Sequence, residues 1–232
     1  MRKSLLILLA FFSAGLISCG GKSGGGDTPA PSGPVSSTLP FPPDAAVSRY
    51  LQSPQGFTIA ATDSSNNVYT LTYSFTPGPS STFEGVPAKT ASTSTLIKAN
   101  GVVISTGSAV SYFNVSPYRP LGVIYGTGEY VVLVPTAQLP VTAMVGQSGA
   151  VSTSTEYANS TKASVISHST TTWSLEADTA STAWFCMNET IIYTDGVTPN
   201  FTEADCYKTD VNGNVLGVKA TITQGSFVLS FK

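Results

Sequence analysis

At 232 residues the chain has room for one large domain or two small ones, and a hydrophobic content of 41% supplies a packed core, which excludes wholesale disorder. Charged residues make up only 10%, against 61 serines and threonines, so the surface is polar through hydroxyls more than through ions. Without Arg2 and Lys3, 9 basic side chains stand against 13 acidic ones, a net charge of −4 that offers nucleic acid no basic footprint.

Arg2 and Lys3 open the chain with positive charge, and Leu5 to Ile17 follow as an apolar run broken by Ser13 and Gly15. That run is short for a bilayer span, which favours a cleaved signal over a transmembrane anchor. It ends in Leu16-Ile17-Ser18-Cys19. The three parts, in this order and spacing, resemble the signal peptide and lipobox of bacterial lipoproteins. The resemblance covers residues 1 to about 20. It implies cleavage after residue 18 and lipidation of Cys19, with the lipid bilayer as a partner. Several acyl chains on one residue make a stable anchor where a single chain is marginal. Position 20 is Gly, not the Asp that holds many such lipoproteins in the inner membrane. The resemblance therefore implies the outer membrane, facing the periplasm or the cell surface.

Residues 19–43 are mostly Gly, Ser, Pro and Thr, the composition of a flexible, then stiffer, disordered tether, which leaves residues 44–232 as the domain. Pro42-Pro43-Asp44 predicts a short helix to about Leu51, with Asp44 as its N-cap. Beyond it the pattern is β. Phe57, Ile59 and Ala61 alternate before a hairpin loop at Asp63–Asn67. In Val68–Thr76, Tyr69, Leu71, Tyr73 and Phe75 share one face and hydroxyl residues the other. Asn100-Gly101 and Asn212-Gly213 each predict a type I′ hairpin turn. Trp173, Leu175 and Ala177 alternate, as do Phe227, Leu229 and Phe231. The expected fold is all-β: an antiparallel sandwich or a curved, barrel-like sheet of roughly ten strands. A membrane barrel fits poorly, since the strands read as short and a lipid anchor would be redundant.

With Cys19 lipidated, Cys186 and Cys206 remain. An even pair in an exported domain predicts a disulfide, worth about 3 kcal/mol for a loop of this length. His168 is the sole histidine and lies in a hydroxyl-rich stretch; no nucleophile motif accompanies it, and a multi-histidine metal site is excluded by count. Acidic residues cluster late, at Glu176, Asp178, Glu189, Asp195, Glu203, Asp205 and Asp210, and read as a solvated edge. Asp210-Val211-Asn212-Gly213-Asn214 opens like a calcium loop but lacks the sixth-position Gly and the twelfth-position Glu. The sequons at Asn114, Asn159, Asn188 and Asn200 follow from composition. Tyr112, Phe113, Tyr118, Tyr125 and Tyr130 fall close together and either fill the core or line an apolar pocket.

Neither a cofactor nor a metal is expected, no catalytic residue is assigned, and the ligand-binding residues are left open. The expectation is a non-enzymatic, membrane-anchored envelope protein with a binding or structural β domain. Two partners compete: a hydrophobic ligand carried in a β cavity, or an envelope protein docked on a filled sandwich. A pocket lined by Tyr and Phe would separate them. A hydrolase remains a third reading, and it requires Glu176 and Asp178 to converge in a cleft.

Overall fold

The structure, a computed structural model, describes residues 34–232; Cys19, its lipobox and the preceding signal lie outside the described residues. Helix α1 (Pro43–Tyr50) precedes twelve strands: β1 (Gln55–Thr62), β2 (Val68–Phe83), β3 (Val86–Ala99), β4 (Val102–Val115), β5 (Tyr118–Tyr125) and β6 (Tyr130–Pro135), then β7 (Ser148–Tyr157), β8 (Val165–Ala177), β9 (Thr182–Tyr193), β10 (Phe201–Asp210), β11 (Val215–Gln224) and β12 (Phe227–Phe231). Each strand pairs with its sequence neighbours in one all-antiparallel sheet.

Two strands more than expected give the sheet enough width to curl, and bulges help it to do so. Register shifts interrupt the ladders at Pro77/Ser80, Ile97/Lys98, Tyr112/Phe113 and Lys208/Thr209. The first and last strands then meet. Ala60 donates to the Lys232 carbonyl at 3.4 Å and accepts from the Lys232 amide at 3.0 Å. The result is a nearly closed barrel, which resolves the choice between sandwich and barrel.

Period-two alternation sorts the side chains. Phe57, Ile59, Leu71, Tyr73 and Phe75 point inward and are buried, while Thr58, Thr72 and Ser74 are exposed on the outer wall. Outer hydroxyls pair across strands, Thr58 with Thr72 at 2.9 Å and Ser74 with Ser94 at 2.8 Å. Apolar inside and hydroxyl outside is the reverse of a lipid-facing barrel wall.

α1 plugs one end. Its Ala46, Val47 and Tyr50 are buried, and the Tyr50 ring centroid sits 5.4 Å from those of both Phe75 and Tyr207. Asp44 is not the N-cap; Pro42 is, and the Asp44 carboxylate instead accepts the Tyr118 amide at 3.1 Å. Ser48 bonds the Val115 carbonyl at 2.6 Å, and Arg49 reaches the Asn212 carbonyl. The helix is thereby pinned to two hairpin ends. The domain also begins before the expected boundary at residue 44. Phe41 is 1% exposed and pairs both ways with Ala143, and the Ser37 hydroxyl donates to the Ala180 carbonyl. An aromatic ring among prolines is core here, not tether.

Asn100 and Gly101 both take positive φ, 50° and 82°, as the type I′ turn requires. At Asn212-Gly213 only Gly213 does, at 75°. That turn is organised instead by Asp210, whose carboxylate accepts the amides of Asn212 and Asn214 at 2.9 Å each. Asp63 does the same for Ser65 and Asn67 at the β1–β2 turn.

Beyond its bulge the β2–β3 hairpin folds over the outer wall. Phe83 lies against Gly122, where an added Cβ would fall 1.9 Å from the ring. It packs between Tyr112 and Tyr130, with centroids at 4.9 and 5.2 Å, and Lys162 pairs with Glu84 of the hairpin tip at 2.5 Å.

Candidate functional site

The candidate site is inside the barrel. In β10, Phe201, Glu203, Asp205, Tyr207 and Thr209 share a face, and all five are buried. In β9, Phe185, Met187, Glu189 and Ile191 do likewise. Antiparallel register sets Glu203 directly opposite Glu189, and Asp205 opposite Met187. On the other side Glu203 faces Ile222 and Asp205 faces Ala220 on β11. Three carboxyl groups therefore share one interior wall, two of them cross-strand partners, where like charges oppose each other. The solvated acidic edge expected from the sequence is corrected for these residues: Glu189, Glu203 and Asp205 are 7%, 3% and 5% exposed. Neighbouring parity carried the signal, since each acid sits two residues from a buried aromatic or aliphatic residue on the same strand.

Behind Glu189 the wall continues as a hydroxyl relay. Ser169 donates to Glu189 at 2.5 Å and contacts Ser154 at 2.7 Å. Ser167 donates to Glu156, itself buried, at 2.7 Å. The inner carboxyls nearer the cavity are not served so well. Apart from the hydrogen bond that Glu203 and Asp205 share, the Glu203 oxygens, Oδ1 of Asp205, and the hydroxyls of Ser111 and Ser152 are buried without a hydrogen-bond partner. Such groups are rare in folded proteins, and each costs ~1–3 kcal/mol or more.

These groups border a cavity of about 60 Å³. Glu189, Glu203, Asp205, Ser111 and Ser152 line its polar side. Phe75, Phe113, Tyr118, Val123, Leu133 and Met187 line its apolar side, and Leu51, just past α1, lies at its margin. An apolar chamber with a few convergent polar groups has the composition of a small-molecule site.

Burial governs the titration of the wall. It pushes Glu189 up to about 7 against a modest lowering by the Ser169 hydrogen bond, with the Glu156 charge adding to the rise. Burial raises Glu203 and Asp205 well above the ordinary carboxyl range, and the Glu189 charge adds to both; the hydrogen bond between the two lowers Glu203 and raises Asp205.

The aromatic cluster read from the sequence divides. Phe113, Tyr118 and Tyr112 line the cavity; Tyr125 is buried in the interior; Tyr130 packs outside, beneath Phe83. Cys186 and Cys206 are disulfide-bonded, as expected, directly across β9 and β10. Glu176 lies close to their sulfurs, the one group of three possible metal ligands within 4.8 Å among the described residues. Sulfurs bonded to each other offer no thiolate, so the cluster holds no metal. Glu176 pairs with Lys219 at 3.1 Å and Asp178 with Lys208 at 2.9 Å. Asp178 also accepts from Thr182 and from the Trp184 indole, whose ring lies beneath both lysines. These two acids are committed to an outer-wall ion-pair network. His168 is exposed on the outer wall, with Nδ1 3.2 Å from the Thr155 hydroxyl. Asp210 spends its carboxylate on its own turn, leaving no calcium cage.

Comparison with protein-family models, curated proteins and solved structures gives no match to this chain. The fold and the site define it as a hydroxyl-walled antiparallel β-barrel with an acid-lined interior cavity.

Proposed function

We propose that this protein is a lipid-anchored envelope protein that binds a small ligand inside its barrel, and that it is a carrier, not an enzyme. The observation that supports this reading is the cavity, lined by the Glu203–Asp205 pair and by the Ser111 and Ser152 hydroxyls, which are buried without a hydrogen-bond partner. A barrel stabilised only for its own sake would fill that volume with apolar side chains, which cost less to bury. Of the two partners weighed from the sequence, the internal ligand is favoured, because a chamber lined by Phe75, Phe113 and Tyr118 is not a filled core. The anchor rests on the N-terminal pattern ending at Cys19, which places the barrel at a membrane surface, the outer membrane by the residue at position 20. There a tethered carrier holds a ligand at the bilayer without spanning it.

Native mass spectrometry of the protein isolated from its own envelope tests this reading. The expected result is an N-terminus at Cys19 bearing acyl chains, together with a second, non-covalent small molecule. That molecule should be lost when Val151→Trp fills the chamber. A stoichiometric protein partner with an empty barrel would favour docking and overturn the carrier reading.

A further inference from the structure

The cavity reading leaves open what kind of molecule enters. Resting on that reading, we propose that the ligand is an organic ammonium: a protonated amine on a compact apolar body, its head seated among Glu189, Glu203 and Asp205.

Donor and acceptor chemistry narrows the choice first. Beyond the one bond that Glu203 and Asp205 share, the unpartnered groups at the cavity are carboxyl oxygens and two serine hydroxyls. A primary ammonium brings up to three N–H donors and no acceptor, which complements that set. An alcohol would bring one donor and leave most of those oxygens unmet. A carboxylate or phosphate ligand would add a further anion to a wall already holding three acids.

Charge balance points the same way. Among the described residues the ion pairs are Lys162–Glu84, Lys208–Asp178 and Lys219–Glu176, all at the outer surface. Among the described residues no cation pairs with the inner wall, so an ionised carboxyl there has no protein counter-charge. One ammonium balances one ionised carboxyl of the three. The other titratable groups turned toward this interior include Glu156 on β7, Tyr118 and Tyr125 on β5, Tyr73 on β2, Tyr193 on β9, Tyr207 on β10 and Tyr50 on α1, and none is basic.

Among the described residues Glu189, Glu203 and Asp205 do not form a group converging within 4.8 Å, so an ammonium head meets one or two of these acids at a time, not all three. The opposite wall supplies the rest: Phe113 and Tyr118 present aromatic surface, and Val123 and Leu133 a greasy floor. Aromatic faces attract cations and apolar groups alike.

Calorimetric titration of the full chain with 2-phenylethylamine, 2-phenylethanol and 3-phenylpropanoate, at about pH 7.5, tests the proposal. The three probes share one apolar body and differ in charge. The amine should bind about tenfold or more tighter than the alcohol, with the acid weakest. Glu203→Gln should abolish the amine's advantage while the alcohol binds as before, and Glu189→Gln should reduce it, giving a second variant if the first folds poorly. Equal or tighter binding of the alcohol or the acid to the wild-type protein would overturn the ammonium class and leave the carrier reading intact. Failure of all three probes to bind would overturn both.

Discussion

Two walls of the same barrel obey the same alternation and spend it differently. On β1, β2 and β12 the inward positions are Phe57, Ile59, Leu71, Tyr73, Phe75, Leu229 and Phe231, an almost wholly apolar set packed beneath α1. On β7 to β10 the inward positions include Ser152, Ser154, Glu156, Ser167, Ser169, Glu189, Glu203 and Asp205. Backbone geometry does not distinguish them. The first wall gains stability from every side chain it buries; the second gives some of it up. Paired strands tolerate an expensive interior when enough of the remaining circumference is apolar, which lets a barrel set aside a sector for binding.

The sharpest way to break the comparison is to trade side chains between the walls. Phe75 is fully buried and contacts Tyr50. Phe75→Ala should cost ~3–5 kcal/mol in urea unfolding. Glu203→Gln, at similar depth, should cost nothing or stabilise the empty protein, because it removes an acid with no cation to meet it. An equal loss at both positions would show that the acid is a packing element and not a reserved group.

Acidity probes the second wall directly. Glu189 holds its proton more tightly folded than unfolded, since burial raises it from 4.5 to about 7. The native state therefore binds more protons than the unfolded chain between those values, and stability falls as pH rises through that window. Glu189 alone accounts for on the order of 3 kcal/mol, present near pH 4.5 and lost above pH 7. Glu203, Asp205 and Glu156, also raised by burial, act in the same direction. The carboxyls held below their usual range, Asp63, Glu84, Asp178 and Asp210, titrate under this window. Unfolding free energy should thus be higher at pH 5 than at pH 8, and Glu189→Gln should flatten the slope. A profile rising toward pH 8 would contradict the burial of these acids.

A smaller effect belongs to the relay. Ser154→Ala removes the hydroxyl beside Ser169, which donates to Glu189. About 1 kcal/mol should be lost. The same change at exposed Ser74, whose hydroxyl pairs with Ser94, should lose less, since water replaces that partner.

Much of this fold was legible in the residues. Leu71-Thr72-Tyr73-Ser74-Phe75 announces a strand and its inner face, and Asn100-Gly101 announces its turn. The disulfide followed from counting. Three features were harder. Phe41 read as tether because its neighbours are prolines, yet one ring at the barrel mouth outweighs the composition around it. Gly213 copied the appearance of a type I′ turn, but Asp210 supplies an alternative set of amide acceptors. The acids were misplaced because charge was weighed by residue type, not by parity. Glu203 alternates with Phe201 and Asp205 with Tyr207, so the strand must turn all four the same way. What no local pattern encodes is that β4, β5 and β9 meet around one cavity, since their approach depends on curvature accumulated over the whole sheet.

The seam between Ala60 and Lys232 has a kinetic consequence. Every other strand contact joins neighbours in sequence, so hairpins can zip one after another over short loops, at a modest entropic cost for each closure. Among the strand pairs of the described residues, only the seam joins strands far apart in sequence, and it is held by one reciprocal pair of backbone bonds. Closure should come late in folding, and the seam should open first during native-state fluctuations. Amide exchange at Ala60 and Lys232 would then run ahead of exchange at the inner amides of β9 and β10, giving the barrel a built-in order of assembly and of breathing.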